Sequence, residues 1–213
     1  MCIRDSIESV ANGTCDIGTS SRDLKDEEKS LGLVDTPIAY DAIAVIVNPA
    51  NPVKDLTIEQ VRDIFEGRVH NWKELGGPDV PVGMVNRDEA SGTREAFWKI
   101  ALEEAPFDPT AAVLPGTGQV RSVIAGSLGA VGYISIGFVD DTVKAVSVDG
   151  VMPSAETVTD GSYSIQRVLH FFTKGEPSAK AKAFIDFVLS KKVQEEAVEA
   201  AGFIAMSKEG EVD

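Results

Sequence analysis

The residues best suited to chemistry lie in one stretch, Val85-Asn86-Arg87-Asp88-Glu89-Ala90-Ser91-Gly92-Thr93-Arg94. A strand-like run ends near Asn86, and a helical pattern begins at Ser91. The first turn of a helix carries unpaired N–H groups and the positive end of the macrodipole, which together attract an anion. Gly92 lets an anion come close to the backbone. Ser91 and Thr93 add hydroxyl donors there. Arg87, upstream of the helix start, brings a planar fork of donors suited to a tetrahedral oxyanion. The same residues also read as a plain Ser N-cap beside a surface Arg, and the segment alone leaves both readings open. A second candidate is the turn Asp16-Ile17-Gly18-Thr19-Ser20-Ser21-Arg22, where a strand runs into hydroxyls and a guanidinium. Taken alone, it reads as an ordinary cap.

Catalytic chemistry finds little support. Neither Cys2 nor Cys15 sits in the anion loop that a cysteine phosphatase needs, and Ser91 is not in a Gly-x-Ser-x-Gly elbow. Asp16-Ile17-Gly18-Thr19-Ser20 lacks the second Asp of an aspartyl-phosphate motif. His70 and His170 are the two imidazoles, and each reads as structural or exposed. No HExxH, paired cysteine or clustered histidine suggests a metal, and no cofactor is expected.

The elements that must position these residues alternate between short strands and amphipathic helices, the pattern of an α/β protein. Strands are predicted over 42–48, 80–86, 130–136, 143–148 and 168–173. Thr57-Ile58-Glu59-Gln60 has the form of a capping box, opening a helix that Gly67 ends. Helices are further predicted over 91–104, 119–125 and from Pro177, where Ala181, Phe184, Ile185, Val188 and Leu189 form a core-facing stripe. A last helical run covers 193–201.

Of the 213 residues, 43% are hydrophobic and 25% charged, a globular composition. No run approaches the roughly 20 apolar residues of a membrane helix, so no direct membrane insertion is expected. The formal net charge of -14 and the absence of clustered Lys and Arg exclude nucleic acid as a partner. That charge also opposes an anion at long range, so affinity must come from short-range donors. Cys15 reads as a packed thiol, with a Cys2–Cys15 disulfide as the alternative. Met1 to Ser6 have no apolar region or cleavage site, so no export signal is visible. The abrupt entry into a helical pattern at Ile7 suggests that a natural N-terminus is missing.

Taken together, these segments resemble the phosphate-specific substrate-binding proteins of ABC transporters, of the type II periplasmic-binding-protein fold. Arg87, Ser91, Gly92 and Thr93 match the family's Arg-x-x-x-Ser-Gly-Thr motif. Similar stretches are Ala42 to Pro49, Leu56 to Gly67 with Asn71-Trp72-Lys73, Gly129 to Ile134, Thr173-Lys174-Gly175 and Phe184 to Val188. The resemblance implies a two-lobed α/β fold with a ligand cleft between the lobes and the first strand and helix of lobe 1 missing. Lobe 1 would hold residues 1–46 and 140–213, and lobe 2 residues 47–139. Inorganic phosphate would bind Arg87, Ser91, Gly92 and Thr93 from one lobe and Ser20, Ser21 and Arg22 from the other, with the lobes closing on it. The implied partner is the membrane permease of an ABC importer, and the implied setting is periplasmic or extracytoplasmic, for a monomer that is not an enzyme. Ser21 stands where some members carry an Asp that accepts the proton of hydrogen phosphate, so discrimination against sulfate should be less sharp. The alternatives are another tetrahedral oxyanion (sulfate or molybdate), a phosphate sensor, or, more remotely, a phosphoester hydrolase.

Overall fold

The computed structural model describes residues 6–206. The chain divides into two compact units, one of residues 1–41 and 167–213, the other of 42–166. Cys2 and the other residues of the first five positions lie outside the described residues.

In the first unit, helix α1 (Ile7–Ala11) precedes strand β1 (Gly18–Ser20). Strand β2 (Leu33–Val47) starts in this unit and ends in the other. Strand β9 (Gln166–Lys174) pairs antiparallel with β1, in the register Gly18↔Phe172, Thr19↔Phe171 and Ser20↔His170. Helix α6 (Ala179–Val188), capped by Ser178, packs Ala181 and Ile185 against Ile17 and Phe171. Phe184, expected in the core stripe, is 40% exposed and instead lies beside Phe171 at 5.8 Å between ring centroids. The expected last helix is a turn of α-helix over Lys191–Val193 that widens into π-helix over Gln194–Val198.

β2 is far longer than its predicted apolar half. Asp35 and Pro37 disguise the first half, since both residue types are depleted in strands. At its centre the buried Asp41 is gripped by Arg167, whose Nε and Nη2 donate to one carboxylate oxygen at 3.0 and 2.7 Å.

The second unit contains the remainder of β2, then β3 (Asp55–Leu56), α2 (Ile58–Phe65), β4 (Gly83–Arg87), α3 (Gly92–Ile100), β5 (Ala112–Leu114), α4 (Thr117–Gly126), β6 (Ala130–Ser135), β7 (Lys144–Ala145), β8 (Ser147–Val148) and α5 (Ala155–Thr159). Its sheet has the order β2-β6-β4-β5, with β7 on the other side of β2. β2 and β6 are antiparallel, whereas β6, β4 and β5 run parallel. Ala44, Ile46, Val85, Val120, Ile124, Ala130, Ile134 and Val143 form its core. α2 opens on the expected capping box of Thr57 and Gln60 and ends before Gly67, which has a φ of 76°. Gly129 is required at the entry to β6, because a Cβ there would stand 2.3 Å from the Pro81 carbonyl oxygen.

Several boundaries differ from expectation, among them the first crossing between the units, at 41/42 rather than 46/47. The run 143–148 forms two short strands because its backbone changes partner: Val146 N–H donates to Val45 C=O and Ser147 N–H to Lys54 C=O. α3 stops at Ile100 rather than 104, because Glu103 and Glu104 take left-handed backbone angles. The return to the first unit falls at 166/167 rather than 139/140. Val143 belongs to the second unit's core, and β7 and β8 pair with β2 and β3 of that unit.

Candidate anion site

Strand β4 delivers Arg87 at its end. The register between β4 and β6 covers Gly83↔Ala130 and Met84↔Val131, and it does not reach Arg87. Side chains take over there. The Arg87 backbone N–H donates to Asn86 Oδ1 at 2.8 Å and to the Tyr133 hydroxyl at 3.4 Å. Tyr133 in turn donates its hydroxyl to Asn86 Oδ1. Burial pushes the Tyr133 pKa up, so the hydroxyl stays protonated and remains a donor.

The Arg87 guanidinium is held from the start of α4. Nη1 donates to Thr117 Oγ1 at 2.9 Å, and Nη2 to the Pro115 carbonyl at 3.1 Å. Nε is buried and has no hydrogen-bond partner. A buried donor left unmet is costly, and a guanidinium has five N–H groups, so this side chain retains capacity for an acceptor.

The turn after Arg87 is closed by Ser91 N–H donating to the Asp88 carbonyl at 3.1 Å. Ser91, nearly buried, caps α3 by accepting from Arg94 N–H at 3.2 Å. Its hydroxyl hydrogen is still a donor. Gly92 and Thr93 form the first turn of α3, as predicted, and Gly92 is exposed. One short turn joins the end of β4 at Arg87 to the start of α3 at Gly92.

In the first unit, Ser20 ends β1 and closes a small turn. Its Oγ accepts from Arg22 N–H at 3.2 Å and donates to the Arg22 carbonyl at 3.1 Å. The Arg22 guanidinium forms a two-pronged pair with Glu28, Nη1 to Oε2 at 2.7 Å and Nη2 to Oε1 at 2.8 Å. This pair holds the Glu28 carboxyl down to about 2. Arg22 would thus meet an anion only in competition with Glu28. Ser21 lies between them, half-buried. His170, opposite Ser20 in the β1–β9 register, is buried, with Nδ1 2.8 Å from Asp35 Oδ1 and Nε2 3.3 Å from Asp23 Oδ1. His70 is exposed.

Cys15 is disulfide-bonded, which corrects the expected packed thiol. Sequence reasoning missed Thr117, Pro115, Asn86 and Tyr133 as companions of Arg87; only the Gly116-Thr117-Gly118 run hinted at a helix start there. A cavity of about 500 Å³ in the first unit is lined by Asp16, Ile17, Ser178, Lys180, Ala181 and Phe184, none of them a predicted site residue. Among the described residues no helix is long and apolar enough to cross a membrane, and no cluster of three or more His, Cys, Asp or Glu is disposed to hold a metal.

Residues 4–192 match a family model described as a PBP superfamily domain. The chain is 38% identical over 207 residues to the phosphate-binding protein PstS of Bacillus subtilis, an alignment covering 94% of this chain and 68% of that protein. It is 32% identical over 212 residues to the PstS of Borreliella burgdorferi, covering 94% and 76%. One similar solved structure, from Clostridium perfringens, is described as a phosphate ABC transporter substrate-binding protein with bound phosphate. It has a TM-score of 0.80 and 43% identity, over 95% of this chain and 84% of that one. An ABC-type phosphate transport receptor from Vibrio cholerae gives a TM-score of 0.86 at 32% identity, over 94% and 84%.

Proposed function

Because this chain belongs to the PBP superfamily, within the family of PstS phosphate-binding proteins, we propose that it captures inorganic phosphate and passes it to the membrane permease of an ABC importer, catalysing no reaction. Its α/β fold is that of the type II periplasmic binding proteins. The observation that carries the ligand is Arg87. Its guanidinium is oriented by Thr117 and Pro115, keeps a buried, unmet Nε–H, and stands one short turn from the Ser91-capped start of α3.

In this reading, Arg87 supplies charge-assisted donors, and the Ser91 hydroxyl, Gly92 and Thr93 surround the anion with neutral ones. By the family resemblance, Ser20, Ser21 and Arg22 are the first unit's candidate donors, and Arg22 shares its charge with Glu28. The protein works as a monomer outside the cytoplasm. A surface of net charge -14 gives an anion no long-range help, so selectivity is decided by hydrogen bonds at short range. Isothermal titration with phosphate, sulfate and molybdate tests the assignment. Phosphate is expected to bind more tightly than either, and equal heats for all three would overturn it. Turnover of a phosphoester would refute the absence of catalysis.

A further inference from the structure

We propose that Tyr133 is a positioning residue for the anion site, setting the Arg87 backbone and the start of α3 as one piece. The inference rests on the phosphate reading of Arg87 and Ser91 and adds to it a residue 46 positions downstream of Arg87.

Two sets of contacts meet at this side chain. At its hydroxyl end, Tyr133 donates to Asn86 Oδ1, and the same oxygen accepts the Arg87 N–H at 2.8 Å. The Arg87 N–H also reaches the Tyr133 oxygen at 3.4 Å. This triangle occupies the place where the β4–β6 ladder has ended, so no strand partner holds Arg87 on that side. The ring of Tyr133 lies flat on Phe97 of α3, with centroids 4.0 Å apart and planes 6° from parallel. Phe107 lies beside this pair, 6.3 Å from Tyr133 and 6.4 Å from Phe97, and the Arg94 guanidinium, in the first turn of α3, lies over Phe107 at 4.9 Å. Both Tyr133 and Phe97 are fully buried. One side chain therefore touches the strand end that carries Arg87 and the helix whose first turn carries Gly92 and Thr93.

A buried hydroxyl deprived of its acceptor is costly, so the Tyr–Asn–Arg triangle has a single low-energy arrangement. Losses of site geometry on the ångström scale are expected to appear in ligand affinity as well as in stability. That separates positioning from plain core packing.

The test is Tyr133→Phe, which removes the hydroxyl and keeps the ring stack. The control is Tyr163→Phe. Tyr163 is equally buried in the same unit and donates to the Ile43 carbonyl at 2.9 Å, away from Arg87. Phosphate affinity is read by titration well below the unfolding temperature of each variant, and exchange of the Arg87 amide by NMR. Tyr133→Phe is expected to weaken phosphate binding about tenfold and to speed Arg87 amide exchange at least tenfold, with Tyr163→Phe within twofold of wild type in both. Unchanged affinity and unchanged Arg87 exchange in Tyr133→Phe, with only its stability lowered, would overturn the inference. Equal effects of the two substitutions would overturn it as well. If wild-type protein binds no phosphate, the phosphate reading falls, and exchange at Arg87 alone decides the positioning.

Discussion

Replacing Arg87 by Ala is the sharpest perturbation of the proposed site. Two of the five guanidinium N–H groups are committed to Thr117 Oγ1 and the Pro115 carbonyl, which leaves Nε and one hydrogen on each Nη for a ligand. Hydrogen bonds from an ionised donor to an anion are roughly twice as strong as neutral ones. Losing one partner of a buried charge-assisted pair costs about 2–5 kcal/mol of binding. At roughly 1.4 kcal/mol per factor of ten, phosphate should bind about 30-fold to several-thousand-fold more weakly. Arg87→Lys keeps the charge and loses the fork, so it should fall between wild type and Ala. Calorimetric titration at one fixed ionic strength measures all three, with circular dichroism verifying the fold. A loss in Arg87→Ala below about 0.5 kcal/mol is the size expected of an exposed charge, and it would refute the placement of Arg87 in the site.

Thr117→Val removes the acceptor that orients Arg87 Nη1 and should weaken phosphate binding several-fold, about 1 kcal/mol, by titration. Ser21→Asp should raise the preference for phosphate over sulfate by at least tenfold, measured by competition, because a carboxylate accepts a proton that sulfate lacks. Arg167→Ala removes the guanidinium paired with the fully buried Asp41 carboxylate and should cost about 3–5 kcal/mol of stability, read from urea unfolding; the double variant Asp41→Asn, Arg167→Met should recover much of it. Glu28 has a folded-state pKa of about 2 against an ordinary value of 4.5, because of Arg22. Its stabilisation is therefore complete above about pH 4.5 and is lost as pH falls from there towards 2. Urea midpoints between pH 6 and 3 should fall less steeply in Glu28→Gln; equal slopes would show that this pair does not contribute.

The elements around Arg87 were legible because their signals are local. Ser91 caps the next turn, Thr57 and Gln60 close a box four residues long, and Gly67 supplies a left-handed angle. Each is decided by neighbours within one helical turn, which the residue order contains. Boundaries failed where a distant partner decides. The 143–148 run breaks because its backbone switches from β2 to β3, and the first half of β2 forms despite Asp35 and Pro37.

The same division holds for the site. Residue types and spacing alone offered a helix start with an Arg before it, open to an anion site or a plain cap, in an acidic chain without enzyme motifs. What that Arg touches was decided only by folding. Thr117 lies 30 residues from it and Tyr133 46 residues away, and Arg167 finds Asp41 across 126 residues. The pairing of Arg22 with Glu28, six residues on, likewise depends on the turn between them. A cap forms wherever its few residues occur, whereas a guanidinium or a buried hydroxyl chooses among many acceptors. Only the packed chain, by excluding water and bringing remote strands together, leaves one choice.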